Sequence, residues 1–488
     1  MFLLMVVLFV LGYLAIALEH PIKVEKAASA LLLGSILWAL YALSSEQVLA
    51  MGFSPLWEKL KLMGQQILNN IAPAMTADQF ATSPFRETVE LARDSNAFVK
   101  NELGQHLIGI AEILFFLFGA MTIVEVIDQH QGFTVITNRI ATKSKVKLIW
   151  IIGFITFFMS AVLDNLTTTI VMVALLRKLI SDKPTRWLFA SMIVIAANSG
   201  GAWSPIGDVT TIMLWIGGQI TTVNIIIKVI LPSLVSMIVP LAIMSFMVRG
   251  DVKRPAKIQG SDDITTPFER TFILFLGVSM LLFVPVFKTL THLPPWVGMI
   301  FGLGVLWLVS EIMHRDKDDE IRKKLTIFNI VKKVDTPTIF FFLGILAAVA
   351  ALQSAGHLSL LAGWLDEKLG DIYLINLAIG AISAVVDNVP LVAGAMGMYE
   401  VVTPDMLRIA ADPAYAAFFV QDGLFWEFLA YCAGTGGSML IIGSAAGVAA
   451  MGLERIDFIW YLKKISWLAL AGYLAGAGVY WLQAQIMV

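Results

Sequence analysis

The sequence is poor in charge and nearly devoid of cysteine. Only 14% of its 488 residues are charged, against about a quarter in a soluble domain. The single cysteine, Cys432, excludes an internal disulfide and any cysteine-based metal site. Net charge is −2, which gives no footing for a nucleic-acid partner. What fills the space is apolar: 58% of residues are hydrophobic and mean hydropathy is +0.81. Apolar runs recur from end to end, long enough to cross roughly 30 Å of hydrocarbon as helices. The fold class is therefore an all-α polytopic membrane protein, with the lipid bilayer as its first partner. The opening run "MFLLMVVLFVLGYLAIALEHPIK" lacks a basic leader and a small-residue cleavage site, so it reads as a first span. No Arg/Ser-rich transit peptide is recognised, which favours a bacterial inner membrane.

Charge threads the chain. Basic connections (19–26, 139–147, 177–186, 249–257, 315–333, 455–464) belong to the cytoplasm. Poorly basic ones (218–224, 288–295, 357–371, 400–412) belong outside. Two adjacent pairs of like loops flank one apolar stretch each. Both stretches must enter and leave on one face. They read as re-entrant hairpins, 148–180 and 372–402, with arms of roughly 15 residues, too short for a full crossing. The other spans number ten, and 44–106 reads as a periplasmic interfacial region. Order and orientation then give two inverted-topology repeats, 1–249 and 269–488, joined by a cytoplasmic linker at 250–268. Each has five spans, one of them a broken helix (187–217 and 413–452), plus one hairpin.

The hairpins carry an echo: "SAVLDNLTTTIVM" from Ser160 and "SAVVDNVPLVAGAMGM" from Ser383. The broken helices carry another: "AANSGGAWSPIGDVTTIML" and "CAGTGGSMLIIGSAAGVAAMG". Glycine and proline weaken a helix there, and unwound backbone is tolerated at membrane depth only in a cavity or against protein. Intramembrane carboxylates are costly and usually functional. The candidate cation- and proton-binding set is Asp164, Asn165, Asp387, Asn388, Asp208, Asn198, Ser199, Ser160, Thr168, Thr210, Thr211, Ser383, Thr435 and Ser438. These hard oxygens suit Na⁺ or Li⁺ better than a soft metal, with Na⁺ expected at Asp164, Asn165, Asn198 and Asp208. Capping of a helix N-terminus is the competing role for each aspartate. Glu112, Glu125 and Glu427 are candidates for a proton path. His106 and His130, at span ends, read as solvated. No catalytic residue and no cofactor are expected; the ions are cargo. A carboxylate that holds either a cation or a proton is an exchanger. The alternatives are a sodium-coupled dicarboxylate or oxyanion carrier and an intramembrane aspartyl protease, whose motif "PIGD" only partly resembles.

At these motifs, and at "FGAMTIVEVIDQHQGF" (118–133), the sequence resembles the NhaD family of sodium/proton antiporters within the ion-transporter superfamily. The resemblance implies export of Na⁺ or Li⁺ against inward protons. It also implies paired hairpins, a homodimer and elevator-like motion. It extends to Ser160, Asp164, Asn165, Asn198, Asp208, Thr210, Thr211, Ser383, Asp387, Asn388 and Ser438. The dicarboxylate branch of the superfamily has Ser-Asn-Thr at the tips, where this chain has Asp-Asn.

Overall fold

The computed structural model describes residues 1–137, 140, 142–252 and 264–487. Most of the expected linker, with Lys253, Arg254 and Lys257, and also Arg139, lies outside the described residues. The described chain is helical, with one isolated β-bridge, Ser144 to Asp251. Its principal helices are α1 (Phe2–Ala17), α2 (Lys26–Leu43), α3 (Ser95–Gln129), α4 (Lys145–Leu163), α5 (Asn165–Leu179), α6 (Lys183–Gly201), α7 (Val209–Ile216), α8 (Thr222–Met247) and α9 (Pro267–Thr291). They continue as α10 (Pro295–His314), α11 (Thr336–Ser354), α12 (Ile372–Ile382), α13 (Asn388–Met398), α14 (Leu424–Gly436), α15 (Ala445–Glu454), α16 (Phe458–Lys464) and α17 (Ser466–Met487). Among the described residues, seven helices are long and apolar enough to cross a membrane, or eight if the pair α16 and α17, bent by 50°, is one span. This is a multi-pass membrane protein.

Two compact units divide the chain. The first comprises Met1–Leu114, Thr336–Gly370 and Ala393–Glu400. In it α2 packs closely on α11. Gly344 lies so near the α2 backbone that a Cβ would sit 2.3 Å from the Ala30 carbonyl carbon. Trp38 donates to the Ala347 carbonyl and Tyr41 to the Ser354 carbonyl.

The second unit comprises Phe115–Asp335, Asp371–Val392 and Val401–Val488, and it holds the polar motifs. Its axis is built from α6 and α14. From Phe189 to Gly201, and from Phe425 to Gly436, every residue is buried, polar ones included. Both helices stop at a Gly-Gly pair, and a second half-helix, α7 or α15, resumes after a short irregular stretch.

Contacts with α6, together with the charge of Lys145 at the start of α4 acting on Asp182 at the start of α6, lay α4 and α5 out as a hairpin. Ser160, near the end of α4, donates to Ala197 near the end of α6. Asn165, at the start of α5, reaches Asn198 on α6. At the other end of α5, Arg177 and the α6 residue Arg186 share Glu454. So α5 runs antiparallel to α6, and the turn is Asp164. The arm α4 has 19 residues, roughly 28 Å of helix, longer than the expected 15. It continues past the apolar run to a cap at Ser144. On the same side, Asp182 caps α6; its bonds from Thr185 hold its carboxyl below the usual range.

The second broken helix differs from expectation at its start. The span expected at 413–452 begins at Leu424, because 413–419 form two short separate turns and Asp422 takes a positive φ of 60° that ends any continuation. The second tip is also wider. Residues 383–387 separate α12 from α13, where one residue separates α4 from α5.

The halves nevertheless repeat one packing scheme. Ser160 donates to the Ala197 carbonyl at 2.6 Å, and Ser383 to the Ala433 carbonyl at 3.0 Å. A Cβ on Gly200 would meet the Phe157 carbonyl oxygen at 2.2 Å, and one on Gly436 the Gly380 oxygen at 2.2 Å. Gly207 lies against the Ser160 carbonyl as Gly443 lies against that of Ser383. Asp208 caps α7 and Ser444 caps α15. The outer ends of both half-helices are fastened too. Glu454, at the end of α15, binds Arg177 and Arg186, and its carbonyl accepts from Trp187. Beyond the end of α7, Thr221 donates twice to Asp422, while Lys288 reaches the Trp215 carbonyl. Carbonyls left over at helix ends are satisfied in this way.

Candidate functional site

Four helix ends meet in the second unit: the C-termini of α6 and α14 and the N-termini of α7 and α15. The two hairpin tips join them. At the centre is Asp208, 1% exposed. Its Oδ1 accepts the Thr210 N–H and hydroxyl, both at 2.9 Å, which makes it the cap of α7. Its Oδ2 accepts the Asn165 amide at 2.6 Å. The Asn388 amide, from the other tip, lies 3.3 and 3.4 Å from the two oxygens. Both tips thus converge on one carboxylate.

Asn198 extends the network. Its Oδ1 accepts from Asn165 at 3.1 Å. Its Nδ2 donates to Ser438 and Ser444, each at 2.9 Å. An asparagine of one broken helix therefore bonds both ends of the break in the other. Ser444 is not among the residues the sequence singles out; its place in "GSAAG", matching Asp208 in "GDVTT", is the signal. All six side chains are buried, and none is a lysine or arginine.

The tip aspartates are placed differently. Asp164 spends its carboxylate on its own helix, accepting the Thr167 N–H and hydroxyl, both at 2.8 Å. It does so at φ 68°, ψ 159°, a region that is essentially glycine's. Glycine would relieve that strain, so the carboxylate itself is what the position retains. Asp387 likewise accepts the Val389 N–H, at 3.3 Å. Both still lie within electrostatic reach of Asp208.

Several expected ligands use their hydroxyls in the fold. Ser160 and Ser383 donate to backbone, Thr211 donates to the Asp208 carbonyl, and Thr435 back-bonds to Tyr431. Ser199 accepts from Ser236 on α8, away from the network. The Thr168 and Thr169 hydroxyls are buried without a partner, one turn beyond Asn165. The glutamates are dispersed. Glu427 is buried and accepts from Asn224 and Tyr480. Glu125 accepts from Gln129, itself held by Lys333. Glu112 is half-buried on α3. His130 is not solvated as expected; it is fully buried against His314, because α9 and α10 cover the end of α3.

Among known proteins, the family model described as CitMHS, citrate transporter, matches residues 7–420. Sodium/proton antiporter 1 of Arabidopsis thaliana is 49% identical over 76% of this chain, a match that spans 62% of that protein's length. Sodium/proton antiporter 2 of the same plant is 46% identical over 76% of this chain and 85% of its own. The Na(+)/H(+) antiporter NhaD of Alkalimonas amylolytica is 32% identical over 82% of this chain and 83% of its own. These are transporters rather than enzymes. The chain belongs to the citrate-transporter family and, within it, to the NhaD sodium/proton antiporters.

Proposed function

We propose that this chain exchanges Na⁺ or Li⁺ for protons, with cation and proton competing for Asp208. The observation that carries the reading is the convergence of both tip asparagines on that one buried carboxylate. A buried carboxylate must be neutralised, by a proton or by a cation. With the Asn165 and Asn388 amides turned over, their carbonyl oxygens would stand beside Asp208. That gives an all-oxygen set for a small hard cation. The carbonyl ends of α6 and α14 add negative dipole. Asp164 and Asp387 deepen the negative field from either tip, and Thr168 and Ser438 are further oxygens at hand.

The family's description as a citrate transporter raises the alternative of a sodium-coupled dicarboxylate or oxyanion carrier. The absence of any lysine or arginine from the six-residue network, which holds Asp208 and has two further aspartates beside it, favours a cation as cargo. We further read the repeats as inverted, the first hairpin entering from the cytoplasm and the second from outside. Sodium then leaves the cell against entering protons. Glu125 and Glu427 lie toward opposite ends of the second unit and serve as proton relays on the two sides, with Glu112 a third. The protein is read as a homodimer of a bacterial inner membrane.

Competition has a measurable consequence. Protonated Asp208 is a poor cation ligand, so apparent KM for Na⁺ rises as pH falls, by about tenfold per unit on the acid side for each competing proton. Na⁺-, Li⁺- and dicarboxylate-dependent dequenching of a pH dye in everted vesicles, at several pH values, checks this. A pH-independent KM, or a response only to dicarboxylate, rejects the reading.

Sidedness is tested separately. In a Cys432→Ser background, cysteine at position 182 is expected to label only from the cytoplasm and cysteine at 405 only from outside. Labelling of both from one side excludes inverted hairpins.

A further inference from the structure

A second cluster of titratable groups lies outside this network, where the ends of α3 and α10 meet the start of α9. His130 is fully buried and His314 is 3% exposed. Their Nε2 atoms are 2.8 Å apart. The protons in this pair can be assigned by elimination. His130 Nδ1 is 2.6 Å from the Val126 carbonyl, which can only accept, so Nδ1 carries the hydrogen. In a neutral ring His130 Nε2 is then bare and must accept from His314 Nε2. That leaves His314 Nδ1 bare in turn. It is buried and has no hydrogen-bond partner. The Glu269 carboxylate is 4.0 Å away.

We infer that His130, His314 and Glu269 form a proton-binding site, which takes up one proton at His314 Nδ1. The proton supplies the donor that the neutral pair lacks and places a cation beside Glu269. A second proton would make both rings positive with their Nε2 atoms 2.8 Å apart, which like-charge repulsion opposes. The pair therefore titrates as one unit.

The charged neighbours set the direction of every variant. Glu269, on α9, favours uptake. Lys317, just past α10, pairs with Glu269 at 2.7 Å and opposes it. Arg270 is turned to Thr265, whose hydroxyl holds the His130 carbonyl. Ser310 lies 3.5 Å from His130 Nε2 and adds no charge. Glu269 faces His314 through Oε1 and Lys317 through Oε2, so a proton at His314 is felt by the ends of three helices.

The test uses the full chain, labelled with ¹⁵N-histidine, in lipid nanodiscs, with His130→Gln and His314→Gln to assign the rings. Over a titration from about pH 3.5 to 9 the two rings are expected to shift together through a single uptake. Removing the counter-charge in Glu269→Gln moves uptake to lower pH by about one unit, and Lys317→Met moves it higher. A merely structural role would not give opposite signs. Two independent titrations near the ordinary histidine value of about 6.5, or equal shifts in both variants, overturn the inference. The same variants are expected to move the acid limb of Na⁺-dependent exchange in the same order. That arm rests on the proposed exchange, whereas the spectra do not. If the wild type exchanges no Na⁺, only the functional reading fails; if exchange profiles stay fixed while the spectra shift, the link from this site to transport fails.

Discussion

Asp208→Asn is expected to reduce Na⁺-driven proton exchange by about 10- to 100-fold while the protein still inserts. The substitution keeps shape and removes charge. An asparagine oxygen can still cap α7 at Thr210, since asparagine is among the best capping residues. Its amide, however, would face the amides of Asn165 and Asn388, which now donate to Asp208. The site would lose its charge and its ability to hold a proton, and gain a clash of donors. Losing a charged hydrogen-bonding partner typically costs about 1.5–3 kcal/mol, and each 1.4 kcal/mol is tenfold. Asp164→Asn preserves its own cap at Thr167 and leaves the Asp208 contacts in place, so it is expected to weaken exchange less. Dequenching in everted vesicles across pH 7–9.5, alongside membrane content, separates the outcomes. Wild-type exchange in Asp208→Asn would remove the shared carboxylate from the mechanism.

Much of this was legible in the sequence for one reason. Membrane depth makes polar residues expensive, so those that appear there mark themselves. Asn165, Asn198, Asp208, Asn388 and Ser438 were all named from the sequence, and they share one network. The all-helical polytopic fold followed from apolar run length alone. What the sequence could not reveal depends on close approach between distant segments. Nothing local says that Ser160 and Ser383 donate to backbone on α6 and α14 rather than to a ligand. Nor does it say that Asn198 reaches across to Ser444, 246 positions away. The start of α14 is hidden because apolar 413–420 leads into it, while the interruption is a backbone turn at Asp422. His130 looked like a helix end facing water; only the packing of His314 on it, 184 positions away, hides it.

The glycines at the breaks carry the second large effect, and here stability rather than exchange is the readout. Gly200→Ala and Gly436→Ala are each expected to lose most folded protein from the membrane. Each added methyl would lie 2.2 Å from a carbonyl oxygen, of Phe157 or of Gly380. Real Cβ atoms essentially never approach so closely, and the obstacle is helix backbone rather than a side chain that could swing aside. Relief requires α4 to separate from α6, or α12 from α14. That would strain the Ser160–Ala197 and Ser383–Ala433 bonds and move the tips that deliver Asn165 and Asn388 to Asp208. Overpacking of a well-filled core typically costs 1–3 kcal/mol and occasionally more; backbone contacts on this scale belong at about 3 kcal/mol or above. Gly304→Ala and Gly478→Ala supply the control, since nothing lies within 4 Å of a Cβ at either position. In a helix, alanine replaces glycine there with a gain of up to about 1 kcal/mol. Thermal unfolding of purified variants in detergent, with yield from membranes, gives the comparison. If all four variants melt alike, the close approach of hairpin arms to broken helices is not what holds the site together. If only the break glycines fail, the two Gly-Gly pairs are there for contact and not for flexibility, and the tips are positioned by backbone touching backbone.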